Sequence, residues 1–243
     1  MKNVLFILVL ILSFNFTYPQ DLIIHKNDGS STSYPIASID SITFSIIAEE
    51  TIFFDNFESG SISDYTVPSG HTPPVLSDLA SVSPTHSVTL VKPRNSYSNM
   101  GRALTTPITS NIIGYSCKMM KNDLADRSHF GIYLFSETVG SSKQSAMGFI
   151  KDSIYMAVQN NANPSENIFT TLDVIESNRW YSFLIEYNFS THLCSFFIDG
   201  VKKFESTFSV SSIDFFYLGD WSGSTGTEID KVLFIDDLKV YKR

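Results

Sequence analysis

Aromatic and acidic side chains come together in one short stretch near the C-terminus. Tyr217, Asp220 and Trp221 stand in the sequence YLGDWSGS, in which small residues flank the tryptophan. Aromatic rings stack on the apolar faces of sugars, and a carboxylate accepts hydrogen bonds from neighbouring hydroxyls. Tyr97, in the sequence RNSYSN, is a further aromatic residue among polar ones. These residues predict a carbohydrate-binding surface, with packing of Trp221 at the edge of the core as the alternative.

Local signatures of catalysis are missing from the sequence. It has no Gly-x-Ser-x-Gly motif, which presents the nucleophile of many hydrolases. Two-step sugar hydrolysis needs two carboxylates about 5 Å apart, but Glu186 is alone in its strand-like run, and Glu228-Ile229-Asp230 is followed by lysine. The histidines at positions 71, 86, 129 and 192 stand singly. We therefore predict no enzymatic activity, and a divergent hydrolase or lyase built from distant residues is the alternative.

Two cysteines, Cys117 and Cys194, lie in strand-like runs. Exported proteins meet an oxidising compartment, so a cross-strand disulfide between them is one interpretation. Two separately buried thiols are the other. Neither cysteine has a second Cys or a His at the short spacing of a zinc site.

The composition is typical of β-strands and of an acidic protein. There are 20 Phe, 11 Tyr and 2 Trp, and only 17% of the residues are charged; aromatic residues are enriched in strands. The 25 Asp and Glu outnumber the 17 Lys and Arg, for a net charge of −8. Because nucleic acids are held by clustered basic residues, and none are clustered here, we exclude nucleic acid as a partner.

The first twenty residues have the pattern of a secretory signal. Lys2 precedes an apolar run from Val4 to Phe16, which is too short for a membrane span of about 20 residues but fits a signal peptide. We predict a signal peptide over residues 1–20 and export to the periplasm or cell surface, with an uncleaved anchor as the alternative. No later segment is long and apolar enough to span a bilayer.

Residues 21–48 predict a short β-hairpin, because Asn27-Asp28-Gly29 supplies turn chemistry between apolar residues. From residue 50 onward, short alternating runs separated by polar turns predict an antiparallel sandwich or barrel. Within it, Asp199-Gly200 predicts a hairpin, and Trp180, which opens an alternating run, is assigned to the core. The clearest runs are Ile112–Met120, Phe130–Phe135, Ala146–Ile150, Ser153–Val158, Trp180–Tyr187, His192–Ile198, Val201–Phe208, Phe215–Leu218 and Val232–Tyr241.

Three segments resemble the concanavalin A-like jelly rolls of the laminin-G and glucanase type: FFDNFESGSISDY, NRWYSFLIEYNFSTHLCSFFIDGVKKF and FIDDLKVYKR. The resemblance implies one β-sandwich over residues 50–243, with the last strand beside the first. Glucanases of this fold carry a Glu-x-Asp-x-x-Glu strand, which is missing from this sequence. The stretch LIIHKNDGSSTSYPIASIDSITF resembles an N-terminal element of exported Bacteroidetes proteins.

The same resemblance implies a structural calcium ion that ties the first strand to the last. Asp55 and Glu58 in the opening segment and Asp236 in the closing one would supply oxygen ligands of the kind that Ca²⁺ prefers. Strand alternation predicts that Asp236 shares a face with the apolar residues Phe234, Leu238 and Val240. Ordinary turn and cap hydrogen bonds are the alternative for these carboxylates.

These observations predict an exported, all-β protein with a jelly-roll sandwich preceded by a short hairpin. Its expected function is non-catalytic binding of a polysaccharide or glycan at the cell surface or in the periplasm. A structural or adhesive protein with a protein partner is the first alternative, and a divergent hydrolase or lyase is the second.

Overall fold

The computed structural model describes residues 21–25, 30–36, 48–92, 97–124, 129–136, 143–159, 167–207, 209–220 and 229–243. The chain divides into two compact units, residues 1–47 and 48–243. Within the described ranges there is no α-helix, and hence none long and apolar enough to cross a membrane. The predicted signal peptide lies outside these ranges and stays a prediction.

The smaller unit contains a two-stranded antiparallel sheet, β1 (Asp21–His25) and β2 (Ser31–Pro35). Leu22 lies opposite Tyr34, and Ile24 opposite Thr32. The hairpin predicted for this part of the chain is confirmed, although its Asn27-Asp28-Gly29 turn lies outside the described residues.

The larger unit is a sandwich of two antiparallel sheets. One has six strands in the order β11-β10-β9-β8-β15-β6, and the other has eight, β14-β13-β12-β7-β16-β5-β4 with β3 also beside β16. The strands are β3 (Glu50–Asp55), β4 (Val75–Ser77), β5 (Ser87–Lys92), β6 (Asn99–Ile108), β7 (Ile112–Lys121), β8 (His129–Ser136), β9 (Lys143–Ile150), β10 (Ser153–Gln159), β11 (Asn167–Val174), β12 (Trp180–Asn188), β13 (Leu193–Ile198), β14 (Val201–Thr207), β15 (Ile213–Asp220) and β16 (Ile229–Lys242).

The core lies between the two sheets and is built by period-two alternation. In β12, Tyr181, Phe183, Ile185 and Tyr187 are buried, while the residues between them are half-buried or exposed. Trp180 has the opposite parity and is half-buried on the outer side. The assignment of Trp180 to the core was therefore wrong, because the inward series begins one residue later, at Tyr181.

The first and last strands of the sandwich pair as predicted. β3 runs antiparallel to β16, with Phe53 opposite Val240. The pairing of β16 with β7 shifts register between Asp236 and Lys239, where Asp237 has a φ of 49°. This bulge reverses the alternation, so Leu238 and Val240 join the core and Asp236 lies on the other side. The prediction that Asp236 shares the face of Leu238 and Val240 was wrong. It does share the face of Phe234, which precedes the bulge in the same register.

The Asp199-Gly200 hairpin is confirmed. Asp199 and Gly200 have φ angles of 50° and 77°, the left-handed pair that a tight type I′ turn needs. The Asp199 carboxylate accepts hydrogen bonds from the Ser182 N–H at 2.9 Å and from the Arg179 guanidinium at 3.1 Å. The turn residue therefore also fixes the start of β12.

Cys117 and Cys194 are free and buried. Cys117 of β7 lies opposite Phe183, and Cys194 of β13 lies opposite Tyr187, so β12 separates them. Two strand spacings amount to about 10 Å, whereas a disulfide needs Cα atoms within about 7 Å. Of the two interpretations of the cysteines, the disulfide is therefore wrong and the two separately buried thiols are confirmed. Burial raises the pKa of both thiols, that of Cys194 to about 12.

Candidate functional site

The outer side of the six-stranded sheet carries a group of aromatic and small residues that come from all six of its strands. Register places Tyr217 opposite Tyr133, Tyr133 opposite Ala146, and Ala157 opposite Phe169. Their strand neighbours, such as Ile132 and Leu218, belong to the core. The aromatic side chains therefore point away from it. We call this surface the tyrosine face; its positions are Asn99, Gly101, Gly131, Tyr133, Ala146, Gly148, Tyr155, Ala157, Phe169, Thr171, Tyr217 and Gly219.

A strip of glycines crosses the middle of the tyrosine face. Gly148, Gly131 and Gly219 lie opposite one another on β9, β8 and β15. A Cβ on Gly148 would meet the Phe130 carbonyl oxygen at 1.7 Å, and one on Gly131 would meet the Met147 carbonyl oxygen at 2.4 Å. The backbones pack so closely here that only glycine fits. All three glycines are buried, so this strip is close-packed main chain and not exposed surface.

Two tyrosine hydroxyls meet beside this strip. The Tyr133 and Tyr155 oxygens are 3.4 Å apart, and the Tyr133 hydroxyl also donates to the Gly219 carbonyl oxygen at 3.4 Å. Both tyrosines are 3% exposed, whereas Phe169 at the margin is 52% exposed and has its ring centroid 6.3 Å from that of Tyr155. The face thus has polar groups at its deepest part and an aromatic ring at its open margin.

A histidine, a tyrosine and an asparagine form one end of the tyrosine face. The His71 ring stacks on Tyr97, with centroids 4.9 Å apart, and its Nδ1 is 3.0 Å from Nδ2 of Asn99. Asn99 lies opposite Gly219. Since the Thr72 N–H donates to the Tyr97 carbonyl oxygen at 2.8 Å, the segment that carries His71 is anchored beside this end of the sheet.

The structure brings together two of the four residues predicted to bind sugar. Tyr217 is half-buried on the tyrosine face, and Tyr97, 37% exposed, lies at its end. Asp220 ends β15 with its Cα opposite Phe130. The Asp220 side chain and the whole of Trp221 lie outside the described part of the chain, so both assignments stay predictions.

Sequence reasoning missed Tyr133, Tyr155 and Phe169. Tyr133 and Tyr155 lie in runs that the sequence predicts as strands, whereas Phe169 lies in β11, which is not one of those runs. The sequence predicts that residues two apart in such a run share one face of the strand. It does not say which face, nor that β8, β10 and β11 lie in one sheet, because register is set by pairing between distant segments. The sequence did contain one signal. In Gly131-Ile132-Tyr133 a glycine and a tyrosine stand two residues apart, which places them on the same face of a strand.

Carboxylates elsewhere are engaged in structural contacts. Glu186, which is alone in its strand, accepts a hydrogen bond from the Tyr241 hydroxyl at 2.5 Å. It also forms an ion pair with Arg243 at 2.8 Å. Burial is the main reason that the pKa of Tyr241 is raised, and the hydrogen bond to the Glu186 carboxylate raises it further. This cluster lies on the eight-stranded sheet, and the twelve positions of the tyrosine face include no carboxylate. The described residues therefore hold no carboxylate pair there.

The three carboxylates predicted to bind calcium each have protein donors. Asp55 accepts from the Phe57 N–H at 2.7 Å and from the Tyr65 hydroxyl at 2.9 Å. Glu58 accepts from the Thr85 hydroxyl at 2.5 Å and from the His86 N–H at 2.8 Å. These hydrogen bonds lower the pKa of Glu58 from 4.5 to about 2, and the bond from the Thr85 hydroxyl contributes most.

Asp236 is fully buried and binds a loop. One of its carboxylate oxygens accepts from the N–H groups of Val82 and Ser83 at 2.7 and 2.8 Å, and the other accepts from the Asp237 N–H at 2.7 Å. The Ser83 hydroxyl lies between Asp236 and Asp237, at 3.1 and 2.8 Å. A carboxylate with this many donors is stable in a buried position without a cation.

Among the described residues, no group of three or more His, Cys, Asp or Glu side chains is arranged to hold a metal ion. The bonds around Asp55, Glu58 and Asp236 are the turn and loop hydrogen bonds expected from the alternative interpretation. The calcium site itself stays a prediction.

Comparison with known proteins defines the fold. No family model matches the chain, and no curated protein matches it in sequence. A carbohydrate esterase from the Shiga toxin-encoding bacteriophage phi24B has 13% identity and a TM-score of 0.60, covering 81% of this chain and all (100%) of its own. The β-glucanase of Bacillus licheniformis has 9% identity and a TM-score of 0.56, with coverage of 79% and 97%.

A third solved structure, a GlcNAcα1-4Gal-releasing endo-β-galactosidase from Clostridium perfringens, has 11% identity and a TM-score of 0.60, covering 83% of this chain and 65% of its own. At these identities the likeness concerns the fold. The larger unit is an antiparallel β-sandwich of the jelly-roll, concanavalin A-like class, as predicted.

Proposed function

We propose that this protein is an exported, non-catalytic carbohydrate-binding protein that holds a neutral polysaccharide on the tyrosine face. The observation that carries the proposal is the meeting of the Tyr133 and Tyr155 hydroxyls on the outer side of the sheet, with the exposed ring of Phe169 beside them. Solved structures of the same fold include proteins named as a carbohydrate esterase and a glucanase, which supports a role connected with sugars.

The composition of the tyrosine face supports a sugar ligand. Tyr217 and Phe169 offer rings for stacking on the apolar side of a pyranose, and the hydroxyls of Tyr133 and Tyr155 both donate and accept hydrogen bonds. Asn99 adds an amide at one end. Sites for small ligands combine such apolar walls with a few fixed polar groups.

Charge supports a neutral ligand. None of the twelve positions of the tyrosine face is Lys, Arg, Asp or Glu, and the protein carries a net charge of −8. An acidic polysaccharide would be repelled at long range and would meet no cation on this face. A neutral chain of hexoses has neither disadvantage.

Affinity electrophoresis through a panel of neutral and acidic polysaccharides tests the proposal. One class of neutral polysaccharide should retard the protein, and Tyr217→Ala should remove most of that retardation. Phe197→Ala is the matched control, because Phe197 is also a half-buried aromatic residue, on the outer side of the other sheet. Retardation by acidic polysaccharides alone, or equal losses in both variants, would refute the proposal. A Trp221→Ala variant in the same gels tests the earlier assignment of Trp221.

A lyase is the second candidate, on the strength of His71, which stacks on Tyr97 and contacts Asn99 at the end of the tyrosine face. Eliminative cleavage needs a base beside the abstracted proton and a group that neutralises the uronate carboxylate. Incubation with polyuronates and neutral polysaccharides, followed by ultraviolet absorbance of unsaturated ends, separates the candidates. Product formation that is lost in His71→Ala would establish the lyase.

A further inference from the structure

The edge strands of the two large sheets differ in how they are protected from pairing with other chains. An exposed edge presents unpaired N–H and C=O groups, and proteins guard such edges with Lys, Pro, inward charges, bulges or short strands. β4 has three residues, and β6 carries Arg102 and Pro107. β14 carries two lysines, at positions 202 and 203, and a glutamate. Both ends of β3 are acidic, at Glu50 and Asp55.

β11 has none of these guards over most of its length. It is eight residues long, NIFTTLDV, and its first six residues are uncharged. Ile168 and Phe169 are 42% and 52% exposed. Among the described residues β11 pairs only with β10, so its other edge has no partner in the described sheet. A long, uncharged and apolar edge is the kind that pairs with another strand.

We propose that β11 pairs antiparallel with β11 of a second copy of this chain, joining two six-stranded sheets into one. The regular part of β11 is residues 167–171, since its pairing with β10 shifts register after Thr171. A twofold axis perpendicular to the sheet keeps side chains on the same face, and the register that uses all five residues centres on Phe169. Phe169 then pairs with its own copy, Ile168 with Thr170, and Asn167 with Thr171.

Self-pairing in this register brings no like charges together. All five residues are uncharged, and Asp173, beyond the bulge, is already paired with Lys203 of β14 at 2.8 Å. Two aromatic rings directly opposite on neighbouring strands are a favourable cross-strand pair. Pairing between two chains that each carry −8 is therefore opposed only by long-range repulsion, which salt screens.

The guards on the other edges limit the assembly to two copies. With β6, β14, β3 and β4 protected, β11 is the edge that remains for pairing among the described strands of the two large sheets. The contact is isologous and closes on itself, so pairing through these sheets does not extend into a filament. The twofold axis also leaves both tyrosine faces on the same side of the joined sheet. A long polysaccharide could then contact both faces, with the gain in avidity that bivalency gives.

Sedimentation equilibrium tests the pairing. The protein is purified in the form that the cell produces and is measured over a wide range of concentrations. We expect a dimer at high concentration and nothing larger. Ile168→Lys places a guard on the edge and should weaken dimerisation about tenfold or more. Val201→Lys, at a 58% exposed position on β14, is the matched control and should leave it unchanged. A monomer at every concentration, or equal effects of both variants, would overturn the proposal.

Cross-linking tests the register without dependence on affinity. Phe169→Cys should form an intermolecular disulfide under oxidation, because the residue on the twofold axis faces itself. Thr171→Cys should not, since it faces Asn167. The native cysteines are buried and do not interfere. Equal cross-linking of both variants would overturn the register. Neither experiment involves a sugar, so its outcome is independent of carbohydrate binding.

Discussion

The outer sides of the two sheets differ in which polar and aromatic residues they carry. On the eight-stranded sheet, charged groups are paired with one another: Glu186 with Arg243, and Lys118 with Asp237 at 3.3 Å. On the six-stranded sheet, the twelve positions of the tyrosine face include no charged residue and combine aromatic rings, hydroxyls and close-packed glycines. The ion pairs named on the eight-stranded sheet join its own strands to one another, whereas the proposed binding surface has an exposed aromatic ring at its margin.

The largest expected effect separates the core from both outer sides. Phe183→Ala should lower the free energy of unfolding by about 3–5 kcal/mol, since its ring is fully buried and packs edge-on against Phe149. Trp180→Ala, on the half-buried outer side, should cost about 1 kcal/mol. Urea unfolding of both variants measures the difference. Equal losses would show that Trp180 is part of the core after all.

A somewhat smaller loss is expected on the outer side of the eight-stranded sheet. Asp236→Ala leaves the N–H groups of Val82, Ser83 and Asp237 without an acceptor, and should cost about 3 kcal/mol. The wild-type midpoint should not change on addition of a chelator, because these donors already satisfy the carboxylate. A chelator-induced fall that Ca²⁺ reverses would instead establish the predicted calcium site.

On the tyrosine face the expected effect is on binding and not on folding. Tyr155→Phe keeps the ring but removes the hydroxyl 3.4 Å from that of Tyr133, and should weaken binding of the retarding polysaccharide about tenfold, the equivalent of about one hydrogen bond. The unfolding midpoint should stay within error of the wild type. A variant that loses stability but binds normally would show that the tyrosine pair is structural.

The smallest expected effect is a pH dependence around Glu58. Its pKa is about 2 in the folded protein against an ordinary 4.5, so its contribution to stability is complete above pH 4.5 and is lost as the pH falls towards 2. In Glu58→Gln this part of the acid dependence should disappear. Thermal unfolding of both proteins across this range measures it, and identical acid profiles would contradict the assignment.

Much of the fold was predictable because it depends on local chemistry. The runs that became β7 and β12 largely alternate apolar and polar residues, and Asp199-Gly200 has the backbone freedom that a tight turn requires. The errors concern the side of the strand on which a residue lies. Trp180 was placed one residue out of phase, and Asp236 was assigned to the wrong side because a bulge at Asp237 reverses the alternation.

The candidate site was predictable only in part. Tyr217 and Tyr97 stood out as aromatic residues among small or polar neighbours, and they do lie on or beside one face. Tyr133 and Tyr155 were not identified, because their hydroxyls meet only after β8, β9 and β10 have paired. Nothing within a single strand indicates which residue of another strand will lie opposite.

By itself, the sequence determined the class of the fold, most strands of the sandwich and the Asp199-Gly200 turn, since alternation and turn chemistry act over a few residues. It did not indicate β4, β5, β6 or β11. The tertiary structure alone decided which side chains share a surface. β12 separates Cys117 from Cys194, the bulge at Asp237 turns Asp236 outward, and three glycines align across three strands. Each of these depends on the register between segments far apart in the chain, which is set by packing and not by local preference.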